Sequence, residues 1–120
     1  MIESIDHVQL AAPPGCEEQA RRFFGDLVGL EEIPKPGALT ARGGVWFRCG
    51  LQELHIGVEP DFSPARKAHP AFRVRALDDL RIRLESAGTA TREDAAGIPG
   101  LRRFHVDDPW GNRLEFVEAA

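Results

Sequence analysis

Residues 69–87 read HPAFRVRALDDLRIRLESA. The first eight alternate, with Phe72 and Val74 on one side of an extended chain, and the remainder then sets Leu80, Leu84 and Ala87 on one helical face until Gly88 stops the run. The same strand-to-helix order stands earlier. Residues 4–11 (SIDHVQLA) alternate, Pro13, Pro14 and Gly15 break the strand, and 16–28 set Ala20, Phe23, Phe24, Leu27 and Val28 at helical offsets before Gly29. His69 matches His7, Leu80 matches Ala20, Leu84 matches Phe24 and Glu115 matches His55 at a shift of about 60 residues, the mark of internal duplication.

Three more strands follow each strand–helix pair. In the first half they are 30–33, 45–50 (VWFRCG) and 51–58 (LQELHIGV), turning at Gly50 and preceded by the Pro/Gly loop 34–44. In the second half they are 89–93 (TATRE), 101–108 (LRRFHVDD) and 113–118 (RLEFVE), with the turn PWGN at 109–112 and the loop DAAGIPG at 94–100. The predicted class is α+β: two βαβββ modules, at about 4–58 and 68–118, joined by EPDFSPARKA within a single domain of residues 1–120.

Composition narrows the partners. A chain of 120 residues with net charge −4 and no basic block lacks the cationic face that nucleic acid or an anionic membrane requires. No apolar run reaches a membrane span, and the acidic start MIESIDHVQL lacks the basic segment of a secretory signal, so a cytoplasmic protein is expected. Cys16 and Cys49 have no CxxC spacing and are read as free thiols.

Strand parity selects the chemistry. If Val8 and Leu10, Leu54 and Ile56, Phe72 and Val74, and Leu114 and Phe116 face the helices, then His7 and Gln9, Glu53 and His55, His69 and Arg73, and Arg113 and Glu115 share the other faces. His105 falls on that side as well. A solvated outer face is the plain alternative, yet it does not favour three of four histidines at repeat-related positions. Two imidazoles and a carboxylate suit a divalent transition metal with open coordination sites. His7, His69 and Glu115 are the candidate ligands, with His55 as a fourth.

These residues carry a resemblance. DHVQL, ARRFFGDLVGL, LHIGV, HPAFRV and DPWGNRLEFVE, in this order over essentially the whole chain, resemble the vicinal oxygen chelate superfamily of glyoxalase I, extradiol dioxygenases, fosfomycin-resistance enzymes and bleomycin-resistance proteins. The resemblance implies curled mixed sheets around a metal and substrate cleft, a metal on His7, His55, His69 and Glu115, and a homodimer. Its metal is Fe, Mn, Ni or Zn, and its partner a small molecule. It implies an enzyme of lyase, isomerase or dioxygenase type, lactoylglutathione lyase-like in the widest sense. A non-catalytic antibiotic-sequestering protein of the bleomycin-resistance type is the alternative. The fourth strand carries His55 where glyoxalase I resemblance predicts a carboxylate or amide, which weakens that assignment.

The roles follow. Glu115 or Glu53 is the candidate base; Gln9, Phe47 and His105 are candidate substrate contacts. Arg73 and Arg113 can hold an anionic arm of the substrate, with a surface ion pair to a neighbouring Glu as the plainer role for each.

Overall fold

Strand β1 (His7–Ala12) runs parallel to β4 (Gln52–Val58), although 39 residues of chain lie between Ala12 and Gln52. A parallel pair needs a crossover connection, and here the crossover carries a helix, β2 (Glu31–Ile33) and β3 (Val45–Cys49). The sheet order is β1-β4-β3-β2, with β3 antiparallel to both its neighbours. The computed structural model describes residues 1–119, and the chain divides at Pro64 into two compact units.

The second unit repeats this wiring. β5 (Ala71–Arg73) lies parallel to β7 (Arg113–Ala119), and β6 (Leu101–Asp107) lies antiparallel to β7, in the order β5-β7-β6. The fold is therefore α+β with two small mixed sheets. The strand expected over 89–93 shrinks to one bridge, Arg92 with His105. Its side chains explain the loss: the Thr91 hydroxyl donates to Glu85 at 2.5 Å and accepts from Arg81 at 3.0 Å, tying the segment to helix α2 (Leu77–Ser86).

Each unit buries its helix face against its sheet. In the second, Leu77, Leu80 and Leu84 of α2 join Phe104, Val106, Leu114 and Phe116 in the core. Fully burying such side chains contributes roughly 1.5–3 kcal/mol each. In the first, the helix expected over 16–28 begins as α1 (Glu17–Ala20) and widens into a π-helical stretch over Arg21–Leu27. The Val28 N–H reaches the Phe23 carbonyl at 2.9 Å, one residue further than an α-turn allows. With the wider turn both adjacent phenylalanines are buried, and Phe24 lies 6.0 Å from Phe47 between ring centroids.

Two expectations need correction. Val8 is exposed rather than packed with Leu10, because β1 is an edge strand with only β4 beside it; Leu10 and Ala12 are the buried members. Phe47 is no cleft residue. It stands opposite Leu54, is fully buried, and belongs to the helix-facing side.

The loop before β3 forms a 3-10 turn over Gly37–Arg42 and closes against the first helix. The Glu17 carboxylate accepts the Gly44 N–H at 2.6 Å, and this bond holds its pKa below the ordinary range. The Lys35 ammonium donates to the Gly43 carbonyl. In the second unit the turn between β6 and β7 is tied by buried Asp108, which accepts from the N–H groups of Trp110 (3.0 Å) and Asn112 (2.8 Å) and from the Asn112 amide (2.8 Å). Burial nonetheless pushes the Asp108 pKa up. Cys16 and Cys49 are free thiols, both with pKa raised by burial. No helix among the described residues is long and apolar enough to cross a membrane.

Candidate metal centre

Pairing in the second sheet sets the site. Antiparallel register places His105 opposite Glu115 and Asp107 opposite Arg113, while parallel register places Ala71 beside Glu115. Alternation then gathers Arg103, His105 and Asp107 of β6 with Arg113, Glu115 and Val117 of β7 on one face. His69 precedes β5, and its ring is fixed from outside the sheet: Nδ1 lies 2.8 Å from the Lys67 carbonyl oxygen.

That contact determines the tautomer. Only an N–H satisfies a carbonyl, so Nδ1 carries the hydrogen and Nε2 of the neutral ring is left as a lone pair. His69 Nε2 nevertheless lies 2.8 Å from Glu115 Oε1. His105 Nε2 lies 3.2 Å from both Arg113 Nη2 and Glu115 Oε1, and its single lone pair either accepts the Arg113 N–H or meets a cation shared with Glu115. Lone pairs facing a carboxylate oxygen at these distances need a proton or a cation between them. One ligand atom from each of His69, His105 and Glu115 lies within 4.8 Å of the others. The donor set of two imidazole nitrogens and a carboxylate fits a divalent transition ion.

The surroundings support that charge state. Burial works to raise the Glu115 pKa but is outweighed by the His69 and Arg103 hydrogen bonds and the charges of Arg103 and His105, so the carboxyl sits below its ordinary range. Burial first, then the Arg113 charge, lowers the pKa of His105. Arg103 donates to Glu115 Oε2 at 3.2 Å and to Asp94 at 3.0 Å, orienting the carboxylate from behind.

In the first unit the other predicted residues form a different arrangement. His7 and His55 stack at 4.2 Å and 17°, and Trp46 stacks on His55 at 3.7 Å and 3°. Because β1 and β3 flank β4, the two rings meet His55 from opposite sides. His55 Nε2 hydrogen-bonds Glu53 at 2.9 Å, and His7 Nδ1 hydrogen-bonds Asp6 at 2.9 Å. Gln9 is exposed, with its side-chain amide lying over Gly57.

The structure thus brings His69, Glu115 and His105 together in the second unit and His7, His55 and Glu53 in the first, whereas the sequence reading set His7, His55, His69 and Glu115 as one ligand set and His105 among the substrate contacts. That reading missed Trp46, which parity offered: Val45 and Phe47 face the helix, so Trp46 between them shares the face of His55. It also missed Arg103 and Asp94, whose partnership depends on loop placement that no periodicity encodes.

No protein-family model matches the chain. Two mixed sheets of this wiring, one bearing a His and Glu donor set, define the vicinal oxygen chelate superfamily as the class of this protein. The chain is 54% identical to a glyoxalase family protein from Bacillus anthracis over 100% of its own length and 98% of that chain, with a TM-score of 0.95. It belongs to the glyoxalase family. The same fold recurs in lactoylglutathione lyase from Agrobacterium tumefaciens, at 21% identity over 98% of this chain and 94% of that one, with a TM-score of 0.76. It recurs again in a variant of the fosfomycin resistance protein of Listeria monocytogenes, solved with Mn(II) and 1S,2S-dihydroxypropylphosphonic acid. That match has 18% identity, covers 100% of this chain and 95% of that one, and has a TM-score of 0.82.

Proposed function

We propose that this protein is a metal-dependent enzyme of lyase, isomerase or dioxygenase type acting on a small molecule with vicinal oxygens. The observation that carries the reading is the pair of imidazole Nε2 atoms facing Glu115 Oε1 at 2.8 and 3.2 Å. His69, His105 and Glu115 would hold the ion, with Fe, Mn, Ni and Zn all compatible with the donors. A bound divalent ion supplies Lewis-acid polarisation of the substrate oxygens.

The chain's own residues do the rest. The Lys67 carbonyl fixes the His69 tautomer, and Arg103 keeps one oxygen of Glu115 turned away from the histidines. In the first unit, His7 and His55 are further candidate donors on their own face. Among the described residues Nε2 of His7 has no hydrogen-bond partner, so it is the nitrogen available there. Glu53, a third exposed and held by His55, is the candidate base in that unit, and Gln9 a substrate contact. The free thiols support a cytoplasmic location, and the family likeness supports a homodimer.

A panel of a methylglyoxal–thiol adduct, a catechol and fosfomycin tests the reading. Turnover of one of them should be lost to chelator and restored by one of the four metals. Tight binding without turnover, indifferent to chelator, would instead identify a sequestering protein. A second expectation concerns pH. Imidazole ligands must be deprotonated, so Mn(II) affinity should be full at pH 8 and fall as pH drops below about 6.5, where free imidazoles gain protons. An affinity that stays flat from pH 8 to about 5 argues against histidine ligation.

A further inference from the structure

On the face that carries Glu115, every carboxylate is already engaged. Glu115 meets His69, His105 and Arg103; Asp94 meets Arg103 at 3.0 Å; Asp107 meets Arg92 at 2.9 Å. Arg113 stands opposite Asp107 in the antiparallel register, yet among the described residues it forms no ion pair with any carboxylate. Among the described residues, the surface ion pair expected from the sequence is therefore absent for Arg113, and for Arg73 as well.

The two arginines differ in cost. Arg73 is exposed, and water solvates it. Arg113 is half-buried, its Nε is buried without a partner, and its one side-chain hydrogen bond among the described residues runs to the imidazole of His105. A half-buried guanidinium with no carboxylate in direct contact is incompletely balanced, and an arriving anion that pairs with it relieves the cost. The guanidinium fork matches two oxygens of one carboxylate, phosphonate or phosphate, a geometry that a neutral hydroxyl pair does not fill. Arg103, the other cation of this face that touches the cluster, also buries an unpartnered Nε, so what distinguishes Arg113 is charge: Arg103 forms ion pairs with Asp94 and Glu115.

We infer that Arg113 is the specificity-determining residue of this site, and that the substrate carries an oxyanion beside its vicinal oxygens which the Arg113 guanidinium receives. This rests on reading His69, His105 and Glu115 as the reaction centre. Arg73, two residues beyond Ala71 on the strand that pairs with Glu115, adds longer-range attraction for the same charge.

Glycerate and glycerol carry the same vicinal hydroxyls and differ in one anionic group, so they test the inference alongside inorganic phosphate. Binding is followed calorimetrically to the full chain, with and without Mn(II), for the parent, Arg113→Gln and Arg113→Lys. The parent should prefer glycerate to glycerol by about 10-fold or more, with the preference shrinking as salt rises. Arg113→Gln should weaken glycerate and phosphate by about 10- to 100-fold, and Arg113→Lys by less, because it keeps the charge but not the fork. Glycerol affinity and Mn(II) stoichiometry should not move. Equal affinity of the parent for glycerate and glycerol, undiminished glycerate binding by Arg113→Gln, or loss of glycerol binding in step with glycerate in both variants would each overturn it. If the parent binds no Mn(II) but keeps an Arg113-dependent preference for glycerate, the anion site stands and the metal reading falls. If Mn(II) binds and no such preference exists, the reverse holds.

Discussion

Replacing His69 and Glu115 together by alanine removes transition metal from the protein: elemental analysis of material purified without chelator should fall from close to one ion per chain to background. Two of the three clustered donors go at once, and His105 alone offers a single neutral nitrogen. The size of the effect separates ligation from mere proximity. Changing a group that only orients a ligand weakens a metal by about 10- to 100-fold, as expected for Arg103→Ala, which leaves Glu115 in place without its partner at 3.2 Å. The double variant also leaves Arg103 with Asp94 as its one remaining carboxylate, so circular dichroism and a melting curve must accompany the metal measurement. Metal content that survives the double change would place the ion elsewhere and end the assignment.

Gly44→Ala should be the most damaging single methyl that can be added to the first unit. Gly44 holds φ +91°, a conformation costing an L side chain about 1–2 kcal/mol, and its new Cβ would overlap the carbonyl oxygen of Ile56 and approach that carbonyl carbon to 3.2 Å. The obstacle is backbone inside a β-ladder, Val45 with Ile56, so it cannot swing aside as a side-chain tip would. Overpacking of this kind adds about 1–3 kcal/mol, and the sum, about 2–5 kcal/mol, is a large part of the stability of a small domain. Denaturant unfolding measures it. Gly97→Ala is the control: nothing lies within 4 Å of its Cβ and its φ is not positive, so a change within about 0.5 kcal/mol is expected. Equal midpoints for the two variants would show that the Gly44 loop yields freely.

The repeat and the strand faces were legible because both depend on local alternation. His55, His105 and Glu115 needed only parity to be sorted from Leu54, Phe104 and Leu114. What escaped was set by distant contact. Nothing near Arg21 announces a π-helical stretch, since the widened turn accompanies burial of Phe24 beside Phe47 from another strand. Strand 89–93 fails because Thr91 is claimed by α2. The site was half legible for a similar reason: residue types and faces come from the sequence, but the partnership of His105 with Arg113 and the orientation of His69 by Lys67 come from how the ends of strands meet.

The parallel closure of each unit has a bearing on how such a chain is assembled and inherited. β1 finds its partner only when β4 exists, and β5 only when β7 exists, so on the ribosome the first strand of each unit waits for the last. Trimming either end unpairs the opposite one. A unit wired in this way is gained or lost whole, and the repeated order of the second half is what copying one complete unit would leave behind.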